Sequence, residues 1–505
     1  MRKASKDPIA RTPAAQLLRA IAMEALSACD PRQAVIRVSA AGPDRLSLAG
    51  HRIDLRRRGR LLIFAYGKAA PGMLEGLRAG LSQAGVRRPV RALLIAPAEP
   101  PLDREATAAA PRSAEAAPRG KGSAERRGDP RGAADFKVAR ITGDHPLPLR
   151  GSFLAGRKAL QMAAGARAAD DVVYLASGGG SALMAAPLAP FMKPEHKTLL
   201  HRLLIVSGAP IGVINAVRRH LSAVKGGRLA LAARRAGSQT TLVLCDVDPD
   251  RYDEVASGPS LPDPTSREDL IRAIDRYGLG PAMPPGLIEA LRRGTLPETP
   301  KTRDPAFRKS RAALLLSNRD LRNAAVRAGL TRGLSTESLP ADLTGPVEEA
   351  VERVARAVES APPGTRLLVL GGEVVSVPSA PGVGGRAQEF ALRLALRMDG
   401  LGSRPWAFLS VGSDGLDGNS PAAGAYVDQT TLERARSAGL DPAKFLREAN
   451  SHRFFSRLGD DFVTGPTGTN VRDLYLLLTG VAGVPRRSIT GAALDRPPSP
   501  QGSES

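Results

Sequence analysis

Two cationic side chains stand where an anionic group could be bound. Lys68 follows the apolar run Leu61–Tyr66, and Arg386 follows the glycine-rich segment Gly382–Gly385. Ligands of open parallel sheets bind beyond the carboxyl ends of the strands. An arginine at a glycine-rich helix start could clamp a carboxylate or a phosphoryl group through two hydrogen bonds. A lysine would act there as a point charge, although its position alone is equally compatible with a solvated surface residue.

A run of three glycines follows another apolar run, Asp171–Ala176. Consecutive glycines let backbone N–H groups approach an anion, and a helix that begins there adds the favourable end of its dipole. The spacing is not that of a Walker A motif, and a flexible turn is the alternative interpretation. The residues concerned are Ser177, Gly178, Gly179, Gly180 and Ser181, and the hydroxyls and glycines of Thr464–Asn470 are likewise suited to oxyanion contacts.

The segment Ile211–Gly227 has helical periodicity and ends in two glycines. Asn215, Arg218, Ser222 and Lys225 recur at spacings of 3, 4 and 3, which places them on one face of a helix. That face could line a charged cleft. A solvated outer face would show the same spacing, so the periodicity favours neither interpretation.

Carboxylates also follow predicted strands. Asp246 follows the run Thr241–Cys245, Asp414 follows Trp406–Val411, and Glu373 follows a third run. Carboxylates at such positions commonly hold Mg²⁺ together with substrate phosphates. Asp414 and Asp417, which both follow Trp406–Val411, are each followed by glycine. An Asp-Gly pair is also an ordinary turn, so either of these two aspartates taken alone favours the simpler interpretation.

The apolar runs that would position these residues alternate with segments of helical periodicity, which is typical of βαβ units. Aromatic residues make up only 4% of the chain, a composition that favours helix-on-sheet packing over an all-β sandwich. We therefore predict an α/β fold with an N-terminal packing helix at Pro13–Cys29. Strands are predicted at Leu61–Tyr66, Ala92–Ala96, Asp171–Ala176, Thr241–Cys245, Ala313–Leu316, Arg366–Leu370, Trp406–Val411 and Asp473–Leu478.

Length and local composition predict two domains. At 505 residues the chain exceeds what one core usually supports. The proline- and charge-rich zone Leu261–Asp304 separates the two groups of strands, so we place the domains at residues 13–275 and 305–484. Segments poor in bulky apolar residues are predicted to be disordered, namely 1–12, the insertion 104–132 and the tail 485–505.

The formal charge of +22 is of the kind that favours nucleic-acid binding. However, the arginines are scattered along predicted helices, and no basic stripe interleaved with aromatic residues occurs, so we predict no nucleic-acid partner. Steering of an anionic substrate is the milder explanation of the charge. Neither an apolar signal core nor a run of about 18 apolar residues is found, which predicts a cytoplasmic protein without a membrane partner.

The sequence contains no motif for a disulfide framework, a zinc site, an α/β-hydrolase or a dinucleotide site. Cys29 and Cys245 lie far apart in apolar contexts, so we predict two core residues rather than a disulfide or a metal site. The six histidines show no zinc spacing and are predicted to be structural or supporting residues. Neither a G-x-S-x-G elbow nor a dinucleotide fingerprint is present.

Taken together, these segments resemble the glycerate 2-kinase family, whose C-terminal half is called the MOFRL domain. The resemblance covers nearly the whole chain apart from the insertion and the two termini. Eight motifs in the right order carry it: YGKAA at 66–70, TGDHPLP at 142–148, SGGGSAL at 177–183, INAVRRHLSAVKGG at 214–227, ASGPSLPDPT at 256–265, GGRAQE at 384–389, GSDGLDG at 412–418 and TGPTGTNVRDL at 464–474.

The resemblance implies transfer of the γ-phosphoryl group of ATP to the 2-hydroxyl of D-glycerate, with Mg²⁺ or a similar divalent cation. It further implies a Rossmann-like N-terminal domain with a doubly wound parallel sheet, and a MOFRL domain with a mixed sheet. Lys68 and Arg386 would be the catalytic cations. We expect phosphate contacts from Ser177, Gly178, Gly179, Gly180, Ser181, Asn215, Lys225, Thr467, Gly468, Thr469 and Asn470, substrate contacts from Arg218, Glu373 and Asp414, and metal contacts from Asp246 and Asp414.

Two alternatives stay open. One is an oxidoreductase acting on hydroxypyruvate, a label carried by some relatives of the family, which the missing dinucleotide fingerprint disfavours. The other is a non-catalytic nucleotide-binding paralogue, because the sequence departs from the family pattern at Val213, Ala387, Ser420-Pro421 and Pro249-Asp250. The oligomeric state stays open as well, with a homodimer as one option.

Overall fold

The computed structural model describes residues 12–98, 135–339, 342–377, 380–400 and 405–480. The segments predicted to be disordered, 104–132 and 485–505, lie outside these residues, and so does 1–12 apart from Thr12. Thr12 caps the first helix, because its Oγ1 accepts a hydrogen bond from the backbone N–H of Ala15 at 3.1 Å.

Helices cover the faces of two sheets and form one additional layer. None of the described helices combines the length and the apolar composition that crossing a lipid bilayer requires. The helices are α1 (Pro13–Ala28), α2 (Pro31–Val38), α3 (Ala70–Gln83), α4 (Arg150–Ala164), α5 (Gly180–Leu183), α6 (Pro194–Val206), α7 (Ile211–His220), α8 (Arg228–Ala232), α9 (Arg267–Arg276), α10 (Pro285–Arg292), α11 (Asn318–Thr331), α12 (Val347–Glu359), α13 (Arg386–Arg397), α14 (Thr431–Ser437), α15 (Pro442–Arg447) and α16 (Ser451–Leu458).

Every predicted strand is present, and several short or exposed strands accompany them. The strands are β1 (Ser39–Ala41), β2 (Arg45–Leu48), β3 (His51–Asp54), β4 (Leu61–Tyr66), β5 (Val90–Ala96), β6 (Phe136–Thr142), β7 (Asp171–Ala176), β8 (Ser238–Leu244), β9 (Ser310–Leu316), β10 (Ser335–Ser338), β11 (Leu343–Pro346), β12 (Arg366–Val375), β13 (Trp406–Gly412), β14 (Gly424–Asp428), β15 (Asp461–Phe462) and β16 (Asp473–Thr479). β1 to β3 form a small antiparallel sheet. The edge strand β6 escaped prediction because most of its residues are exposed and it lacks an apolar run.

The first large sheet contains six parallel strands in the order β6-β5-β4-β7-β8-β9. All residues of β4 and β7 are buried, as expected for central strands that are covered on both faces. The strand order changes direction between β4 and β7, and at such a point the loops diverge and leave a crevice. The prediction of a doubly wound parallel sheet is confirmed.

The second large sheet has the order β10-β12-β16-β13-β14-β15, with β11 also paired to β12. β10 and β11 run parallel to β12, whereas the other pairs are antiparallel. The mixed sheet predicted for the C-terminal region is thus confirmed.

One continuous apolar core joins the two sheets. Leu61 and Val173 of the first sheet belong to the same buried cluster as Leu409 and Leu476 of the second. α1 packs against α11, β13 and β16, whereas α2 packs against α3 and β9. The predicted domain division grouped α1 with the first sheet and β9 with the second. The structure places both elements the other way round: α1 packs on the second sheet and β9 belongs to the first. Hydrogen bonds pair β9 with β8, so the chain passes between the two sheets twice.

The zone Leu261–Asp304, which we expected to separate the domains, is a packed part of the first half. Its helices α9 and α10 share an apolar cluster with α6 and α7. The buried Arg219 anchors this helical layer through ion pairs with Asp263 at 3.0 Å and Asp253 at 2.9 Å. Proline and charge therefore mark helix starts and ion pairs here rather than a linker.

Candidate active site

A cavity of about 640 Å³ opens between the carboxyl ends of the first sheet and one end of the second sheet. Several of the residues singled out in the sequence meet in it, from the loops that follow β4, β8 and β13 and from the end of β12, which contains Glu373. The cavity is lined by Lys68, His145, Asp246, Glu373, Val374, Val375, Ser376, Gly384, Gly385, Arg386, Glu389, Asp414, Leu416, Asp417, Gly418, Ala449, Ser451, Asn470 and Asp473.

Lys68 is held at the cavity by the loop that follows β4. Its backbone N–H donates to the carbonyl oxygen of Gly178 at 2.9 Å, and its Nζ donates to a carboxylate oxygen of Asp414 at 3.1 Å. Because Asp414 follows β13 of the second sheet, this ion pair bridges the two halves of the cavity. The side chain of Lys68 is 35% exposed, so its ammonium group is accessible to a ligand.

The glycine segment wraps closely around Lys68 and Asp246. A Cβ atom on Gly178 would lie 2.0 Å from Oδ2 of Asp246, and one on Gly179 would lie 3.2 Å from Cγ of Lys68. Gly179 also has a φ of +80°, in the left-handed region that favours glycine. The helix that begins here, α5, is a single turn, so the dipole contribution that we predicted is small.

The polar residues around this segment bind other protein groups. Oγ of Ser177 is buried and accepts a hydrogen bond from the backbone N–H of Ala69 at 3.1 Å. The hydroxyl oxygens of Ser181 and Ser257 lie 2.7 Å apart, and Ser257 donates to Oδ1 of Asn215 at 2.8 Å. Ser177, Ser181 and Asn215 thus tie the loops after β4 and β7 to α7, and they do not line the cavity.

Arg386 is the first residue of α13 and enters the cavity from the second half. Its Nε and Nη2 donate to the two carboxylate oxygens of Asp473 at 2.7 and 3.0 Å, and its Nη1 lies 2.8 Å from Oε1 of Glu373. Burial opposes the charge of the guanidinium, but the carboxylates of Asp473 and Glu373 hold the pKa of Arg386 above its ordinary value. The fork is therefore oriented and charged before any ligand arrives.

Negative charge accumulates near Asp246. Burial and the neighbouring Glu373 raise the pKa of Asp246 to about 6. Burial also raises the pKa of Glu373, which the charges of Arg386 and Arg472 oppose. Nε of Arg472 lies 3.9 Å from Glu373, and its Nη1 lies 2.9 Å from Asp342. A further cation bound beside Asp246 and Glu373 would relieve their mutual repulsion.

Asp417 positions Arg386 by capping α13. Its carboxylate accepts hydrogen bonds from the backbone N–H groups of Ala387 and Gln388 at 3.0 and 2.8 Å, and from Nε2 of Gln388 at 3.1 Å. These bonds satisfy donors that a helix start leaves free. Nε2 of Gln388 also donates to Oγ of Ser420 at 2.7 Å. The departures from the family pattern at Ala387 and Ser420 are thus buried beside this cap and lie outside the cavity wall.

α7 ends at His220, which is earlier than the glycine stop that we predicted. Arg218 lies on the helix, whereas Ser222 and Lys225 lie in the turn that follows. Lys225 is fully buried and its Nζ donates to the carbonyl oxygen of Met184 at 3.0 Å. The phosphate contact that we predicted for Lys225 therefore does not fit this position. Val213, another departure, packs against the helical layer.

The loop before β16 contributes one of its predicted residues to the cavity wall, Asn470. Oγ1 of Thr467 donates to the carbonyl oxygen of Ser413, and Thr469 is buried. Gly468 is exposed outside the wall. Thr467 and Thr469 therefore shape the turn that holds Asp414.

His145 lines the cavity, although we predicted that the histidines are structural or supporting residues. It lies in the loop between β6 and α4, and burial together with the charges of Lys68 and Arg218 lowers its pKa. Only the TGDHPLP motif marked this residue in the sequence. His145 therefore belongs to the cavity wall on the side of the first sheet, within electrostatic range of Lys68.

Two protein families match the chain. The one described as "Domain of unknown function (DUF4147)" matches residues 17–292, and the MOFRL family matches residues 366–473. The first match ends within the helical layer and the second begins at β12. Lys68 therefore lies in the segment that matches the first family, and Arg386 lies in the segment that matches the second.

Individual proteins show the same similarity. Glycerate 2-kinase of Pyrococcus horikoshii is 31% identical over 463 residues, which cover 90% of this chain and 95% of that protein. A putative hydroxypyruvate reductase of Agrobacterium vitis is 38% identical over 352 residues, covering 68% of this chain and 78% of that protein. The crystal structure of glycerate kinase from Thermotoga maritima superimposes with a TM-score of 0.69 at 28% identity, covering 92% of this chain and 98% of that one.

Proposed function

The chain belongs to the glycerate 2-kinase family, and from this premise we propose that it transfers the γ-phosphoryl group of ATP to the 2-hydroxyl group of D-glycerate. The products are 2-phosphoglycerate and ADP. The observation that supports this most directly is the convergence of Lys68 and Arg386, from two different sheets, on one cavity. Phosphoryl transfer needs positioning and charge stabilisation more than covalent chemistry, and a lysine and an oriented arginine supply both.

In this proposal Lys68 and Arg386 act on the transferred group from opposite halves of the cavity. The bond from the γ-phosphorus to the β–γ bridging oxygen breaks while the bond to the 2-oxygen of glycerate forms, and the proton of that hydroxyl passes to water. Negative charge spreads over the equatorial phosphoryl oxygens. Lys68 exchanges its contact with Asp414 for one of these oxygens. Arg386 exchanges the contact of its Nη1 with Glu373 for another, while Asp473 holds its Nε and Nη2 in place. We place the β- and γ-phosphates against Asn470, which lines the cavity, and toward Gly179, because Gly178 and Gly180 are buried.

A divalent cation fits this arrangement. Among the described residues no group of three or more His, Cys, Asp or Glu side chains is arranged to hold a metal ion. Mg²⁺, however, commonly takes only one or two protein carboxylates and completes its shell with phosphate oxygens and water. Asp246 and Asp414 would hold it. Burial and the charge of Glu373 raise the pKa of Asp246, and a bound cation would favour its ionised form. When bound, the ion would neutralise phosphate charge.

We expect Asp246→Asn to weaken the dependence of activity on Mg²⁺. The amide keeps the shape but loses the charge that attracts the ion, so the Mg²⁺ concentration for half-maximal rate should rise at least about tenfold. A magnesium titration at fixed ATP and D-glycerate measures this. The exposed Asp250→Asn is the matched control, and an unchanged magnesium requirement in Asp246→Asn would remove Asp246 from the metal site.

Gly178→Ala tests the close approach of the glycine segment to Asp246. Its φ is not in the left-handed region, so alanine suits the backbone. The new Cβ would overlap the Asp246 carboxylate and would also press on Nδ2 of Asn470 at 3.1 Å. Because displacement of a reacting group by about 1 Å can cost about 10²-fold in rate, we expect kcat to fall by up to that factor at near-normal thermal stability. Gly286→Ala on α10, where nothing lies within 4 Å of the new Cβ, should keep wild-type activity.

The oxidoreductase alternative lacks support at the place where a dinucleotide would bind. In a doubly wound sheet the glycine fingerprint follows the first strand of the switch point. Here that turn carries Gly67-Lys68-Ala69-Ala70, with one glycine instead of three. Mixing the protein with NADH and hydroxypyruvate should therefore give no oxidation of NADH.

The proposed function is tested as a whole by coupled detection of ADP release over a panel of hydroxy acids. D-Glycerate should be the preferred acceptor, and NMR of the product should locate the phosphate on carbon 2. Binding of ATP without ADP release in the presence of D-glycerate would instead favour the non-catalytic paralogue.

A further inference from the structure

Arg472 lies behind the wall of the cavity, between Asp342 and Glu373. Its side chain is 13% exposed and does not line the cavity. Its Nη1 lies 2.9 Å from Oδ2 of Asp342. Its Nε is buried without a hydrogen-bond partner among the described residues, and it lies 3.9 Å from Oε2 of Glu373. Buried polar groups are normally hydrogen-bonded, so this Nε is a spare donor that faces a carboxylate just beyond bonding distance.

The backbone holds Arg472 firmly in this position. Its φ is +67°, in the left-handed region that residues other than glycine rarely adopt. Such conformations persist where the surrounding contacts enforce them, and they cluster at functional sites. The carbonyl oxygen of Arg472 accepts a hydrogen bond from the backbone N–H of Ser413 at 3.2 Å. The next residue, Asp473, bonds Arg386, while Arg472 itself faces the glutamate that Arg386 also contacts.

Glu373 stands between two arginines, one at each carboxylate oxygen. Its Oε1 lies 2.8 Å from Nη1 of Arg386, and its Oε2 lies 3.9 Å from Nε of Arg472. Burial raises the pKa of Glu373, and the charges of the two arginines oppose that rise. The carboxylate of Asp246 is close enough for its own pKa to be raised by the charge of Glu373. In these surroundings Glu373 stays ionised only while a guanidinium group offsets its charge.

We propose that Arg472 is a positioning residue that receives the Glu373 carboxylate when Arg386 turns to the transferred phosphoryl group. The inference rests on the proposed function, in which Nη1 of Arg386 leaves Glu373 for a phosphoryl oxygen. Nε of Arg472 then forms the hydrogen bond that it lacks in the structure, and a movement of about 1 Å brings it to bonding distance. No proton moves and no covalent bond changes, because Glu373 only exchanges one guanidinium partner for another. We call this step the partner exchange.

The partner exchange should contribute to the rate and not to substrate affinity. Without Arg472, the departure of Arg386 would leave the charge of Glu373 uncompensated, so Arg386 would remain on Glu373 and would contact the phosphoryl group less. Hydrogen bonds to charged groups commonly contribute enough free energy to change a rate about 10-fold to 100-fold. We expect loss of Arg472 to lower kcat by that factor. KM for ATP and for D-glycerate should change by less than about threefold, because Arg472 does not line the cavity.

A double-mutant cycle tests the partner exchange. ADP release gives kcat and KM for the wild type, Arg472→Met, Glu373→Gln and the double variant. Arg472→Met should lower kcat about 10-fold to 100-fold in the wild-type background but less than about threefold in Glu373→Gln. The reason is that the neutral amide holds Arg386 only weakly and needs no second cation. Equal losses in the two backgrounds would show a structural role and overturn the proposal, and so would a normal kcat of Arg472→Met.

Arg322 offers a matched control, because it shares Asp342 with Arg472. Its Nη2 lies 3.3 Å from Oδ1 of Asp342, its side chain is also 13% exposed, and its Nη1 donates to the carbonyl oxygen of Leu339 at 3.0 Å. No ion pair joins it to Glu373 in the part of the chain that the structure describes. Arg472 keeps the other oxygen of Asp342 when Arg322 is replaced, so Arg322→Met should keep kcat within about twofold of the wild type.

A second variant keeps the test decisive if Arg472→Met does not fold, which thermal unfolding shows. Arg472→Lys keeps the charge and can receive Glu373, so its kcat should lie within about fivefold of the wild type, and any loss should vanish in Glu373→Gln. A loss of the same size in both backgrounds would overturn the proposal. If the wild type released no ADP with any acceptor, the proposed function would fail and the partner exchange with it. An active wild type together with a fully active Arg472→Met would refute the partner exchange alone.

Discussion

Replacing Lys68 by alanine should lower kcat for phosphorylation of D-glycerate by about 10³-fold or more, because the variant loses a cation that faces the transferred group. The fold should survive. The partner of Lys68, Asp414, has a side chain that is 23% exposed, and the loss of such a partly solvated ion pair costs little stability. The measurement is single-turnover ADP release at saturating substrates, with thermal unfolding recorded in parallel.

Lys158→Ala is the matched control for Lys68→Ala. Lys158 is an exposed lysine on α4, bonded only to Gln161 among the described residues, so its variant should retain full turnover. Near-normal activity of Lys68→Ala would exclude Lys68 from catalysis. A large loss of activity accompanied by a collapse of the melting temperature would point to a structural role.

Arg386→Lys is expected to lower kcat by about 10²-fold while the charge of the site stays the same. Lysine is chosen because alanine would leave the buried carboxylate of Asp473 without its partner and destabilise the fold. The ammonium group can satisfy Asp473 or the phosphoryl group, but it cannot present the fork that Arg386 offers to Asp473 and Glu373 together.

Arg393→Lys provides the comparison on the same helix. Arg393 bonds Glu389 at 2.7 Å with a side chain that is 30% exposed, and it lies outside the cavity wall. The substitution there should change kcat by less than about twofold, as for other partly exposed ion pairs. Equal kcat values for Arg386→Lys and the wild type would show that fork geometry does not contribute to the rate.

The parts of the site that could be predicted from the sequence are those that local rules determine. β4 and β7 are short apolar runs that end in glycine or serine, so their ends, and with them Lys68 and the triple glycine, could be located in advance. Arg386 could be placed at a helix start because two glycines precede it. The doubly wound order then brings these strand ends to one edge.

The parts that could not be predicted depend on contacts between distant segments. Periodicity showed the polar spacing of Arg218 and Lys225. It could not show that Lys225 is buried with its ammonium group bonded to the carbonyl oxygen of Met184, a residue about 40 positions earlier in the chain. Asp417 looked like an ordinary turn residue, and only the fold brings it to the start of α13. The spacing of α1 indicated a packing helix, yet nothing local could indicate that its partners are α11, β13 and β16.

Because the chain passes between the two sheets twice, neither half of the gene encodes a complete sheet together with the helices that cover it. A gene fragment that encodes only the residues after Leu316 would lack α1, and the apolar side chains of α11 and β16 that α1 covers would face water. A fragment that stops before Ser310 would lack the edge strand β9. Neither half should therefore fold on its own. A chimera that exchanges one half with a relative should fold only when α1 and the C-terminal sheet come from the same parent.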